Sequence, residues 1–198
     1  MAEAEKKSKN ELLQKEICLD KKSSWLSFDQ AQKKEVFHFA EAYKHFIGNS
    51  KTERLCIVNL IQLLQKSGFK DISTIKNAKS GDRIYKNIKD KTVLAAVIGK
   101  NPEKWQLIGS HVDSPRLDIK PMPVYEDAAL GLIKTHYYGG VKKYHWVNTL
   151  LSLQGVAFTK AGKKVVISIG EKENEPKFII PDLLPHLAKN QMERKADK

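Results

Sequence analysis

The sequence predicts an α/β fold in which a mixed sheet lies between helices and is followed by a β-rich unit. Two stretches with helical periodicity precede the predicted strands. The runs TVLAAVIG and WQLIG are nearly continuous apolar stretches, which is typical of central strands buried on both faces. After Pro121 the chain consists of short strand-like stretches separated by turn residues. A sheet covered by helices is the architecture that buries such runs.

The first predicted helix lies in SFDQAQKKEVFHFAEAYKHFIGNS. Ser27 is its candidate N-cap, Gln30 would complete a capping box, and Gly48 would end the helix. The apolar residues recur at helical spacing. We therefore expect a buried stripe of Val36, Phe37, Ala40, Tyr43 and Ile47.

A second helix is predicted directly afterwards. Ser50 and Glu53 form an S-x-x-E capping box, and Gly68 is the expected stop. Its predicted buried face consists of Leu55, Val58, Ile61, Leu64 and Gln65.

The period then changes to that of strands. RIYKNI and TVLAAVIGK are predicted to pair through a turn at residues 89–91, and WQLIGSHVDS is the predicted third strand. The later predicted strands are ALGLIKTHYYGG, WVNTLLSLQGVAFTK and KKVVISIGE, with AGK as a tight turn. The segment that begins IPDLLPHLAK is predicted to be a loop or the start of a helix.

Composition excludes several classes of protein. The net charge is +12, but only four of the 35 basic residues are Arg, and no basic stripe carries interleaved aromatic residues. We therefore expect no nucleic-acid partner.

The longest apolar runs are too short for a membrane span, and the charged N-terminal stretch does not resemble a secretory signal. The two cysteines, Cys18 and Cys56, are expected to be free thiols of a cytoplasmic protein without a membrane partner.

The stretch LIGSHVDSPRLDIKP carries the candidate site. If it is a strand, His111 and Asp113 lie on the same side, because strand side chains alternate. Asp113 could then accept the hydrogen of one ring nitrogen of His111 and leave the other nitrogen free for a metal. Pro115 would end the strand. The spacing alone leaves open a second interpretation, a His–Asp hydrogen bond in a loop that binds no metal.

Three motifs together indicate a family. IGSHVDSPRLDIKP resembles the first metal-ligand motif of the M18 zinc aminopeptidases, the aspartyl aminopeptidase-like enzymes. YYGGVKKYHWVNTLLSLQGV is similar to their Tyr-Gly-Gly stretch and the strand that follows it. IIPDLLPHLAKNQMERKA is similar to their Ile-Pro-x-Leu-x-x-His-Leu segment. The motifs occur in the family's order along nearly the whole chain.

The resemblance implies a peptide-hydrolysing enzyme with two zinc ions in its complete active site. It implies that residues 1–120 are the amino-terminal part of a mixed-sheet zinc-exopeptidase domain with helices on both faces. Residues 121–198 would be part of an inserted β-rich dimerisation domain through which the protein forms homo-oligomers. His111 corresponds to a zinc ligand, and Asp113 to the carboxylate that orients this ligand. His186 corresponds to a catalytic histidine that reaches the active site of the neighbouring subunit.

The sequence also departs from the family pattern. The remaining metal ligands and the general base have no counterpart in these 198 residues, so we expect this portion to be inactive alone. The alternative function is a non-catalytic assembly or interaction module. Val112 replaces the usual Thr, and Lys142, Lys143 and Tyr144 make acidic-residue specificity doubtful. We expect surface or packing roles for several basic and imidazole side chains near these motifs and on the first helix. These are Arg116, Lys120, Lys142, His38, His45, His136 and His145.

Overall fold

A computed structural model of the chain describes residues 9–19, 22–191 and 193. It contains helices and both parallel and antiparallel strand pairs, so the predicted mixed α/β class is confirmed. The chain divides into two compact units, residues 1–45 and 46–198. The expected domain boundary between residues 120 and 121 falls inside one long strand. The division into 1–120 and 121–198 stays a prediction, and residues 192 and 194–198 of the second part lie outside the described residues.

The first unit is helical. It contains α1 (Lys9–Ile17), α2 (Ser24–Ser27) and most of α3 (Gln30–Asn49). The capping box of α3 is formed by Asp29 and Gln32, because Asp29 Oδ1 accepts from the Gln32 amide at 2.8 Å and Gln32 Oε1 accepts from the Asp29 amide at 3.0 Å. The predicted cap at Ser27 was therefore wrong. Ser27 ends α2, and its hydroxyl donates to the carbonyl of Ser24.

The predicted buried stripe of α3 was also wrong. The helix has the expected periodicity, but none of its described side chains is buried. All five predicted stripe residues are exposed. Trp25 contacts the rings of Phe28 and Phe37 edge-on and also lies beneath the Lys33 ammonium group. Periodicity therefore identified the helix, whereas burial also depends on a covering element, which a local pattern does not supply.

The second unit begins with the end of α3, which is followed by α4 (Glu53–Lys66). Its N-cap is Thr52, whose Oγ1 accepts from the Leu55 amide at 3.3 Å, so the predicted cap at Ser50 was wrong. The predicted stop is confirmed. Gly68 has φ +83°, and the amides of Gly68 and Phe69 donate to carbonyls of the last helical turn, as in a Schellman motif.

The core of the second unit lies between α4 and the strand β2 (Arg83–Ile88). Cys56 and Ile57 are buried on the helix, and Ile84 and Tyr85 are buried on the strand. Gln65 Nε2 donates to the Tyr85 hydroxyl at 2.9 Å. Of the predicted helix face, Leu55, Ile61 and Leu64 are half-buried, whereas Val58 and Gln65 are exposed.

The sheet next to α4 has three strands. β1 (Lys70–Asp71) pairs in parallel with β2, and β2 pairs antiparallel with β3 (Thr92–Val97). The predicted hairpin turn is confirmed, with Lys89 and Asp90 at φ 54° and 55°. A 3₁₀ turn at Ile72–Thr74 follows β1.

Two predictions for the apolar runs were wrong. β3 is an edge strand of this sheet, and its side chains include Leu94, 58% exposed, and Val97, 61% exposed. Residues 105–114, the predicted third strand, lie in no strand, and Ile108 is 95% exposed. No described strand pairs with the outer edge of β3, so the apolar run lacks the second neighbour that a central strand needs.

A long hairpin follows, formed by β4 (Arg116–Asp127) and β5 (Leu130–Tyr138). β5 agrees with the prediction. β4 was not predicted because Pro121 was expected to mark a break. The strand accommodates Pro121 and Pro123 because its register shifts between Ile119 and Val124, and a bulge needs no ladder hydrogen bond from proline.

The last hairpin pairs β6 (Leu153–Phe158) with β7 (Lys164–Ile169). The predicted turn at residues 161–163 is confirmed, with Gly162 at φ 79°. The predicted strand that begins at Trp146 is shorter than expected, since a 3₁₀ turn at Lys143–His145 and an irregular stretch precede β6. The segment after β7 forms a loop that is held by single bridges, Val147 to Ile180 and Leu151 to Phe178.

Candidate metal centre

His111 and Asp113 lie in the irregular segment before β4. His111 Nδ1 is 2.8 Å from the backbone oxygen of Asp113 and 3.1 Å from its Oδ1. Both partners are acceptors, so Nδ1 carries the hydrogen and Nε2 is left with its lone pair. The His111 side chain is 82% exposed. The contact proposed from the sequence is therefore present, but it forms within a loop and not along a strand.

The second carboxylate oxygen of Asp113 is held by β5. The Tyr138 hydroxyl donates to Asp113 Oδ2 at 3.1 Å. This hydrogen bond is the main cause that lowers the pKa of the Asp113 carboxyl. The same bond raises the pKa of the Tyr138 hydroxyl. Asp113 is thus an ionised acceptor for His111 at neutral pH.

Arg116, which was expected to be a surface residue, lies at the centre of a network. Its guanidinium carbon is 3.8 Å from the centre of the Tyr138 ring. Its Nε donates to Asp118 Oδ1 at 2.7 Å, and another guanidinium nitrogen is 3.1 Å from Glu53 Oε1 on α4. The side chain is 22% exposed. Arg116 and Asp118 are two residues apart in the sequence RLD, so a strand predicted there would have placed their side chains on the same face. That strand was not predicted, and the pair was therefore missed.

Strand pairing explains why these groups meet. Arg116 is directly opposite Tyr138 at the open end of the β4–β5 hairpin, so both side chains lie on the same face. Tyr138 is followed by Gly139, which has φ +74° and lies beside Pro115, since a Cβ built on Gly139 would be 3.5 Å from it. The Tyr-Gly-Gly motif and the His-Val-Asp-Ser-Pro motif therefore contact each other.

The other predicted site residue, His186, lies in a turn at residues 185–187, after β7. His186 is exposed, and no hydrogen bond or ion pair joins it to His111 or Asp113 in the described part of the chain. The expectation for His186 concerns a neighbouring subunit, so it stays a prediction.

The hydrogen bonds of His111 fit the role of one zinc ligand. An imidazole whose Nδ1 is held by a carboxylate and whose Nε2 carries the lone pair is the usual form of a zinc-binding histidine. Within residues 9–19, 22–191 and 193, however, no three His, Cys, Asp or Glu side chains are grouped to hold a metal. A catalytic zinc needs about three protein ligands, so the described residues could supply only part of such a site.

An open cleft of about 830 Å³ lies beside the Arg116 network. Glu53, Arg116 and Asp118 are among its lining residues, as are apolar side chains such as Trp146 and Leu151. His111 and Asp113 do not line it.

Comparison with known proteins decides the family. The family described as "Aminopeptidase I zinc metalloprotease (M18)" matches residues 46–198. The chain belongs to the M18 family. The M18 chain is 47% identical over 183 residues to a probable M18 family aminopeptidase 1 from Borreliella afzelii, covering 91% of this chain and 40% of that protein. It is 42% identical over 189 residues to the protein of the same name from Clostridium acetobutylicum, covering 92% of this chain and 41% of that protein.

Solved M18 structures have the same fold over this region. The crystal structure of aminopeptidase I from Borrelia burgdorferi B31 superposes with a TM-score of 0.77 at 44% identity, covering 82% of this chain and 41% of that chain. The M18 aminopeptidase from Thermotoga maritima superposes with a TM-score of 0.80 at 35% identity, covering 91% of this chain and 40% of that chain. The M18 chain thus spans about two fifths of the length of these relatives. No helix in its described part is both long and apolar enough to cross a membrane.

Proposed function

We propose that this chain is a portion of a zinc-dependent metallo-aminopeptidase that releases N-terminal residues from peptides in the cytoplasm. The observation that carries this proposal is the His111–Asp113 contact in a chain that belongs to the M18 family. The contact has the donor arrangement of a zinc-binding histidine. The relatives are named aminopeptidases and are more than twice as long as the matched region.

Each predicted residue has a defined task in this proposal. His111 is a ligand of one of two zinc ions, and Asp113 fixes its tautomer and orientation. When bound, the zinc ions supply an activated water and polarise the scissile carbonyl. The other ligands and the general base come from residues beyond those described. This portion alone is then inactive, since one histidine cannot hold a catalytic zinc.

The assembly is the second part of the proposal. Residues 121–198 belong to an inserted β-rich domain through which the protein forms a homo-oligomer. His186 contacts the substrate or the developing oxyanion in the active site of the neighbouring subunit. Its exposure in the segment after β7 is compatible with such a reach.

The deciding experiment compares variants of the whole polypeptide that contains this chain. We expect His111→Ala to abolish the release of N-terminal residues while the assembly stays intact. His145→Ala is the matched control, because it removes an imidazole to which no role is assigned. Full activity of His111→Ala would contradict the proposed ligand.

His186 requires a separate test. We expect His186→Phe to lower the catalytic rate while the zinc content stays unchanged, because this residue acts on the substrate and not on the metal. A variant that binds less zinc but turns over normally per metal would contradict the role.

The alternative is a non-catalytic assembly module. The absence of a three-ligand group among the described residues favours it for the 198-residue chain taken alone. In that case the 198-residue chain would be the entire product in the cell, and it would form complexes without binding zinc.

A further inference from the structure

We propose that Tyr138 is a positioning residue for the zinc ligand and that Arg116 holds Tyr138 in place. This inference rests on the proposed function, because it concerns the orientation of His111. It adds two residues to which neither the sequence motifs nor the family comparison assigns a role.

The first step concerns the two oxygens of Asp113. Oδ1 is 3.1 Å from His111 Nδ1, and Oδ2 accepts from the Tyr138 hydroxyl at 3.1 Å. A carboxylate in an exposed loop can rotate about its last bond. With Oδ2 fixed by a hydroxyl on a paired strand, rotation would break that bond, so Oδ1 stays directed at His111.

The second step concerns the Tyr138 ring. Arg116 lies 3.8 Å from the ring centre, which is within the range of a cation–π contact. The guanidinium is itself held from two sides, by Asp118 at 2.7 Å and by Glu53 at 3.1 Å. The fork of an Arg side chain allows this simultaneous pairing and stacking, which a Lys would not reproduce.

The third step concerns the backbone. Gly139 adopts φ +74°, and a Cβ at this position would lie 3.5 Å from Pro115. The residue that follows β5 therefore lies beside the loop that carries Asp113. The hydroxyl, the stacked guanidinium and this backbone contact connect an exposed loop to two elements of regular structure, β5 and α4.

The test reads the tautomer of His111 and not enzyme activity. We would record long-range ¹H–¹⁵N spectra of the metal-free whole polypeptide with labelled histidine and assign the His111 signals through their loss in His111→Gln. We expect the Nδ1–H tautomer to dominate in the wild type. In Tyr138→Phe, which keeps the ring but removes the hydroxyl, we expect this preference to fall by less than the roughly fivefold that complete loss of one hydrogen bond would give, because the Asp113 backbone oxygen still lies 2.8 Å from His111 Nδ1.

Tyr137→Phe is the matched control. Tyr137 lies on the opposite face of β5, and its hydroxyl makes no hydrogen bond within the described residues, so the tautomer ratio should not change. If Tyr138→Phe does not fold, Arg116→Gln replaces it, since this variant leaves the hydroxyl in place but removes the group that holds the ring. An unchanged ratio in a folded Tyr138→Phe or Arg116→Gln, or a wild type without a preferred tautomer, would overturn the inference.

The tautomer measurement and the tests of the proposed function can succeed or fail independently. A shifted tautomer in Tyr138→Phe, together with a whole polypeptide that neither binds zinc nor cleaves peptides, would support the positioning role and refute the enzyme. An unchanged tautomer in Tyr138→Phe, together with a whole polypeptide that binds zinc and cleaves peptides, would refute the positioning role and support the enzyme.

Discussion

One carboxylate, that of Asp113, connects the candidate zinc ligand to the body of the fold. It accepts from His111 through one oxygen and from Tyr138 through the other. The backbone oxygen of Asp113 also contacts His111 Nδ1, at 2.8 Å. The imidazole is therefore held twice by one residue, so removal of the carboxylate should loosen His111 without releasing it.

This arrangement sets the expected effect of Asp113→Ala. In the whole polypeptide we expect zinc affinity to fall about tenfold, the lower end of what loss of an orienting partner produces, because the backbone contact remains. Affinity would be measured by competition with a chelator. Asp127→Ala, at the far end of β4, is the control. Equal affinities in the two variants would contradict the orienting role.

Gly139 provides a second test at this scale. Its φ of +74° is costly for any residue with a Cβ, whereas Gly140 does not have a positive φ and has open space around it. We expect Gly139→Ala to lower the free energy of unfolding by about 1–2 kcal/mol. Gly140→Ala should change it far less. Urea unfolding of both variants measures the difference, and equal midpoints would contradict the assigned backbone strain.

Residue-level chemistry could be predicted only where it is local in sequence. His111 and Asp113 are two residues apart, and the sequence indicated their contact, although it predicted the contact in a strand and the structure has it in a loop. Tyr138 and Arg116 are brought together by the register of a hairpin whose first strand contains two prolines. Because that strand was not predicted, the network around Arg116 could not be predicted either.

Among the elements, turns and helix ends show which signals are local. Gly68 ends α4 as predicted, and Lys89 and Asp90 form the predicted turn, because both depend on backbone conformations that few residues adopt easily. The N-caps were displaced by two residues, from Ser27 to Asp29 and from Ser50 to Thr52. Several capping residues stand near each start, and the sequence alone does not rank them.

The corrected cap of α3 can be tested directly. We expect Asp29→Ala to lower the free energy of unfolding by about 1 kcal/mol, since it leaves the Gln32 amide without its acceptor. Ser27→Ala should have a smaller effect, because that hydroxyl only donates to a carbonyl within α2. Thermal unfolding followed by circular dichroism would compare the two variants. A larger loss in Ser27→Ala would restore the original prediction.

Within the second unit as a whole, ion pairs join elements that are far apart in sequence. Asp90 in the β2–β3 turn pairs with Lys164 on β7 at 2.7 Å. Glu171 pairs with Lys51 before α4 at 2.7 Å. The hydrogen bond from Lys164 is the main cause that lowers the pKa of Asp90, and the one from Lys51 is the main cause that lowers the pKa of Glu171.

These pKa shifts determine the pH dependence of stability. The pKa values of both carboxyls are lower in the folded chain than their ordinary values, which are 3.8 for Asp90 and 4.5 for Glu171. Their contribution is therefore present above those values and is lost as the pH falls through the lower, folded-state pKa. We expect urea midpoints to decrease with acidification below about pH 4.5. Asp90→Asn should flatten this decrease, and an equally steep decrease in that variant would contradict the assignment.

The largest failures of prediction also concern the whole molecule. The runs at 92–99 and 105–109 have the composition of central strands, yet Leu94, Val97 and Ile108 are exposed here. Burial on both faces requires neighbouring strands, and a local pattern does not show whether they lie in the same 198 residues. The chain spans about two fifths of its M18 relatives. We therefore propose that residues beyond this region cover these runs.

Native mass spectrometry of the polypeptide from its source cells tests the central claim most directly, since one spectrum reports both chain mass and bound metal. We expect a subunit mass more than twice the 22.5 kDa of this chain, with zinc bound to it and subunits assembled in an oligomer. A subunit of 22.5 kDa that carries no zinc would contradict the account and would favour the assembly module.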